Sequence, residues 1–168
     1  MLAKAILFAV LSTTAYAVDG IQGFDGVDGH SGIDGVPQTI TADGTAQTVS
    51  AQGHDGGHGS PGGPGGSATC FNDESANGGS GGDGGNGGRA GNGGDVTVYY
   101  TDPAHLSKVT VFNGPGNPGI GGSGGTGGMG CGPSGFHGSP GFVGNPGAVG
   151  YPGSVSYIQL SSTDVESR

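Results

Sequence analysis

The sequence predicts a glycine-rich polyproline II helix bundle with a small antiparallel β element, and three observations predict it. The 168 residues include 44 glycines and 10 prolines, with glycine at every third position through long stretches. There is no tryptophan and few aliphatic side chains, which leaves little apolar area for an ordinary core. The glycine phase breaks several times, and short alternating β-type segments stand at some of the breaks. Without a period, this composition would mean disorder. With a period of three it fits polyproline II, which has three residues per turn and whose amides must find partners outside their own segment.

The chain opens on residues 1–17, which read as a secretory signal: Lys4, the apolar core Ala5-Ile6-Leu7-Phe8-Ala9-Val10-Leu11, and a small-residue exit at Ala15-Tyr16-Ala17. That core is too short to span a bilayer, which takes about 20 residues. Cleavage before Val18 is expected to release a secreted, extracellular or cell-surface protein with no membrane insertion.

Residues 18–37 form an N-terminal Gly-X-Y segment, run 1. Its second row is Ile21, Phe24, Val27, His30, Ile33 and Val36; its third row is Gln22, Asp25, Asp28, Ser31, Asp34 and Pro37. Residues 38–52 read as a β-hairpin-like connector, with Ile40 and Val49 flanking the turn pair Asp43-Gly44. Residues 53–168 read as the bundle proper with inserted strands. It holds run 2 (53–67), run 3 (78–95), run 4 (114–130) and run 5 (132–155). At about 3.1 Å per residue the runs are roughly 45–75 Å long, suited to lying side by side. The strand signals are 96–101, 108–112 and 154–160, with Asp102-Pro103 as the cap of a helical turn between the first two. These strands are expected to form one antiparallel sheet on one side of the bundle.

Row counting assigns each run a place. A face that touches a neighbouring backbone closely must be glycine, so one glycine row suits a peripheral run and two suit an inner one. Run 3 has two, and exposes Ser80, Asp83, Asn86, Arg89, Asn92 and Asp95; run 4 does likewise, exposing Ile120, Ser123, Thr126 and Met129. The alternative fold class is a short collagen-like triple helix. It needs only one glycine row, and a doubled glycine there costs about 0.5–1 kcal/mol in backbone entropy for no gain.

Cys70 and Cys131 are the only cysteines and most simply pair in an exported chain. Closing that loop is worth roughly 4 kcal/mol on the chain-entropy argument. A free thiol or an intermolecular bridge is the alternative.

The repeat resembles collagen-like Gly-X-Y repeat proteins. Its doubled-glycine, disulfide-tied layout over runs 2–5 is more similar to the polyproline II bundles of snow-flea-type antifreeze proteins, and to glycine-rich bundles in phage tail-fibre adhesins. The resemblance rests on pattern, implies a fold, and carries over no functional residue.

Charge and motif content exclude several functions. The formal charge is −9, and once Lys4 is removed the cations are Arg89, Lys108 and Arg168 against 13 carboxylates. No basic stripe exists for nucleic acid or anionic lipid. His54, Asp55 and His58 invite a metal, but a three-residue turn places the two histidines on different faces and Asp55 about 9 Å from His58 along one face. Metal–ligand bonds near 2 Å do not span that. The Asp25, Asp28 and Asp34 row reads as a solvated edge rather than a calcium site. Neither a nucleophile elbow nor a phosphate loop is present. No catalytic residue, cofactor or metal is expected, and the chain does not read as an enzyme.

What remains is a secreted structural or surface protein that self-associates into an extracellular fibre or matrix, a homo-oligomer or polymer built through run 1. An ice-binding protein and a receptor-binding adhesin are the alternatives. The candidate assembly or packing residues are Ile21, Phe24, Val27, Ile33 and Val36, with Phe136 and Phe142 as a second apolar surface in run 5. The run 1 row either packs on this chain's own sheet or docks into a neighbour.

Overall fold

The computed structural model describes residues 16–71 and 74–161. The signal-sequence reading lies outside them, apart from Tyr16 and Ala17.

Backbone hydrogen bonds every third residue define the architecture. Run 1 donates to run 3, from Gly20 N–H to Asn77 O at 2.8 Å through to Gly35 N–H to Asn92 O at 2.7 Å. Run 3 donates to run 5 in the same sense, from Gly78 to Phe136 at 2.9 Å through to Gly93 to Tyr151 at 2.8 Å. Runs 1, 3 and 5 therefore lie parallel, side by side, as an upper layer. Runs 2 and 4 form the lower layer, bonded from Gly53 to Gly114 at 3.0 Å through to Gly65 to Thr126 at 2.8 Å. The layers are stitched together by antiparallel bonds that zigzag across all five runs. At one height Gly147 donates to Gly119, Gly119 to Gly88, Gly88 to Gly57 and Gly57 to His30, all within 2.8–2.9 Å.

At one end the layers become β-sheet. Strands β1 (Gln38–Ala42), β3 (Val96–Tyr100) and β5 (Val155–Gln159) continue runs 1, 3 and 5 and pair in the order β1-β3-β5. Strands β2 (Gln47–Ser50) and β4 (Val109–Phe112) lead into runs 2 and 4 and pair with each other. Every pairing is parallel, with Gln38 opposite Val96, Val96 opposite Val155, and Gln47 opposite Val109.

The expected fold class is corrected by these elements. Helix among the described residues is confined to a 3-10 segment, Pro103–Lys108, and the β-structure is two small parallel sheets instead of one antiparallel sheet. Neither a polyproline helix bundle nor a collagen-like triple helix describes the chain; it is a two-layer stack of extended runs closed by two sheets. The orientation has a simple cause. The turn at Asp43 and Gly44, where Gly44 has φ +88°, reverses the chain but hands it to the other layer. In-layer neighbours are thus separated by a whole returning run and must point the same way. The Asp102-capped 3-10 segment makes the same crossing between β3 and β4, with Asp102 Oδ1 accepting Ala104 N–H at 2.9 Å.

The two sheets face each other over the only sizeable apolar cluster among the described residues: Ala42, Val49, Ala51, Val96 and Val98, flanked by Ile40, Tyr100, Leu106, Val109, Val111 and Val155. At the opposite end Cys70 and Cys131 are disulfide-bonded, with Cα atoms 6.0 Å apart. Their separation of 61 residues equals the offset of the run 2–run 4 bonds, such as Gly53 to Gly114. The lower layer is pinned at both ends in one register.

Candidate assembly surface

Each run has three rows, and the glycine rows follow the neighbours. One row faces the next run: a Cβ on Gly20 would run into Gly66 O, one on Gly78 into Gly128 O, and one on Gly121 into Gly144 O. A second row faces the run two places earlier: a Cβ on Gly79 would meet Ile21 O, one on Gly119 would meet Gly57 O, and one on Gly138 would meet Gly79 O. Inner runs 3 and 4 therefore need both rows. Run 1 has no earlier run and keeps only the first; run 5 has no later run and keeps only the second.

The released rows are free to carry side chains of any size. In run 1 the free row is Ile21, Phe24, Val27, His30, Ile33 and Val36, and its five apolar members are 68–85% exposed. They line one outer edge of the upper layer and do not pack on this chain's own sheet. His30 lies against Gly57, the one ring in that row with a glycine beneath it. In run 5 the free row is His137, Pro140, Val143, Pro146, Val149 and Pro152, on the opposite edge; Val143 and Val149 are 70% and 66% exposed. Phe136 and Phe142 stand on the broad outer face of the upper layer instead, beside Tyr151, all exposed. The candidate residues of the two runs thus fall on an edge and on the broad face of the slab and do not converge.

The third row of each run forms a ladder that the sequence reading did not identify. Backbone N–H groups of run 3 donate to run 1 carboxylates: Asn77 to Asp19, Asp83 to Asp25, Asn86 to Asp28 and Asn92 to Asp34, at 2.6–2.9 Å. The same run 3 side chains accept from run 5: Phe136 N–H to Asn77, Phe142 to Asp83, Asn145 to Asn86 and Tyr151 to Asn92, at 2.8–3.0 Å. In the lower layer Asp55 accepts Asn117 N–H at 2.7 Å and the His58 ring accepts Ile120 N–H at 2.9 Å. These residues tie neighbouring runs together within each layer, and the visible signal for them was the shared phase of Asp and Asn in runs 1 and 3.

Hydrogen bonding lowers the pKa of three carboxylates. The Asn92 N–H, followed by Arg89, holds Asp34 below its usual pKa; Arg89 Nη2 lies 3.3 Å from Asp34. The Ser154 N–H and hydroxyl hold Asp95 low, and the Thr45 hydroxyl and N–H do so for Asp43. Among the described residues, no group of three or more His, Cys, Asp and Glu is placed to hold a metal. No helix among them is long and apolar enough to cross a membrane.

No protein-family model matches the chain, and no curated protein matches it. A solved structure similar to it in part is the nine polyproline type II helical bundle springtail antifreeze protein from Granisotoma rainieri. It is 27% identical, with 79% of this chain and 96% of that chain covered, at a TM-score of 0.19. Collagen-like repeats have no counterpart in these comparisons.

Proposed function

We propose that this is an exported, non-enzymatic structural or surface protein that self-associates through the apolar edge of run 1. The observation that carries the reading is the straight row of Ile21, Phe24, Val27, Ile33 and Val36, left in solvent at 68–85% exposure. A run at the rim of this fold is free to carry any residue in that row. Lysine or serine would serve solubility, yet five of six positions are large and apolar, a pattern that marks interaction surfaces. Export is supported by the signal reading and by the intramolecular disulfide, a bond of oxidising compartments. The test is the mass in solution of the protein from Val18 onward, from micromolar to millimolar, beside the variant F24D/I33D. Concentration-dependent growth that the variant abolishes is expected. A wild type that stays monomeric and shows no fibres in micrographs would end the proposal.

Ice binding is a second reading with one observation in its favour. Part of the outer face of the lower layer carries small uncharged side chains, Pro61, Pro64 and Ser67 beside Ser123 and Thr126, all exposed, in rows that also hold Asp55, His58, Ile120 and Met129. Thermal hysteresis lost on S123K/T126K would support it; absence of hysteresis and of ice shaping would remove it.

A further inference from the structure

We infer that the partner of the run 1 edge is the run 5 edge of a second copy, so that assembly is head-to-tail and open-ended. The inference rests on the self-association proposed above and names the surface that completes it.

Backbone pairing is not available at this contact. A further run in the upper layer beyond run 5 would need glycine in the row that run 1 fills with Ile21, Phe24 and Val27, because the equivalent Cβ atoms on run 5 itself would run into run 3 carbonyls such as Gly79 O and Gly82 O. On the run 5 side, Pro140, Pro146 and Pro152 remove the amides that would donate onward, as edge prolines do in sheets. Copies must therefore meet side chain to side chain.

Charge then separates the possible pairs. Run 1 carries Asp19, Asp25, Asp28 and Asp34 beside its apolar row, while residues 132–155 hold no carboxylate at all. Joining run 1 to run 1 would bring two acidic ladders together, with Arg89 the one cation paired in either among the described residues. Joining run 1 to run 5 sets the acidic edge against an uncharged one. The two rows also share triplet spacing, and runs 1 and 5 are parallel through their common neighbour, run 3. Burying five such side chains covers roughly 300–600 Å² per copy. That places each joint at or below the lower end of stable interfaces, about 1,200 Å² in total. Because the two edges are on opposite sides of one layer, the contact does not close on itself and propagates as a tape.

The experiment uses the protein from Val18 onward and two surface variants, F24D/I33D and V143D/V149D, each verified as folded by circular dichroism and by its intact disulfide. Sedimentation should show wild-type species growing beyond the dimer with concentration. Each variant alone should stay monomeric, its self-affinity weakened roughly tenfold or more. An equimolar mixture should recover a heterodimer and stop there, since each variant keeps one competent edge. A V143D/V149D protein that dimerises alone, or a mixture that stays monomeric, overturns the run 1–run 5 pairing while leaving self-association through run 1 intact. An F24D/I33D protein that assembles like the wild type overturns the role of run 1 itself.

Discussion

The backbone N–H of Asp83 donates to the Asp25 carboxylate at 2.9 Å while the Asp83 carboxylate accepts the N–H of Phe142 at 2.8 Å. One residue thus joins three parallel runs, and its neighbours in the row repeat the arrangement. Glycine amides supply only one bond per triplet between adjacent runs, so the side-chain rungs satisfy a second set of amides that would otherwise face water.

Acid should loosen the upper layer. Asp34 and Asp95 have folded pKa values below the ordinary 3.8 because backbone amides, of Asn92 and Ser154 respectively, stabilise their ionised forms. A folded state that binds protons more weakly than the unfolded chain gains stability wherever the groups are ionised in both. The contribution is therefore complete above about pH 5, begins to fade near the unfolded value, and is lost as pH falls through the lower folded values. Melting temperature followed by circular dichroism should drop below about pH 4. A melting curve indifferent to pH down to 2 would show that these rungs contribute nothing.

Asparagine should replace aspartate in the ladder without loss. Asn77, Asn86 and Asn92 already perform the task with an amide oxygen, each accepting a run 5 N–H. D83N is accordingly expected to melt like the wild type at neutral pH. D83A, which leaves the Phe142 amide without its partner, is expected to melt lower at every pH. Equal melting of the two substitutions would mean that the ladder is decorative.

Glycine-to-alanine substitutions should divide by row. A Cβ on Gly85 would strike Val27 O from run 1, with no flexible side chain to give way, whereas one on Gly114 has nothing within 4 Å. G85A is expected to cost about 1–3 kcal/mol or to prevent folding, as overpacking does. G114A should be neutral, or stabilise by up to about 1 kcal/mol by restricting the unfolded chain if its native φ/ψ suits alanine. Denaturant titration of the two separates them directly.

That division was legible before any coordinates. Doubled glycine in runs 3 and 4 marked those runs as inner, because a missing Cβ is a steric requirement that composition displays. The Asp102 cap and the strand segments were legible for the same local reason. Sheet direction was not. The Asp43-Gly44 pair signals a reversal and says nothing about whether the returning strand pairs beside its predecessor or stacks beneath it. The decision belongs to long-range bonds such as Gly20 to Asn77, which no local pattern contains. The same limit hid the Asp and Asn ladder, whose partners are 58–59 residues apart.

The disulfide should matter at one end of the molecule more than the other. Cys70–Cys131 closes the lower layer beyond the Ala68 to Met129 bond, where Ala76 and Cys131 form an isolated bridge and the apolar cluster among the described residues lies at the other end. The β-sheet end has Val96 and Val98 fully buried and does not depend on the cross-link. Opening a loop of 61 residues forfeits roughly 4 kcal/mol on the chain-entropy argument, a large fraction of the stability of a chain with so small a core. C70A/C131A is therefore expected to melt well below the wild type. If it remains folded, amide exchange should accelerate first at Ala68, Ala76 and position 131 and last at Val96 and Val98. Uniform acceleration along the slab would instead mean that the five runs unfold as one unit, with the disulfide acting on the whole.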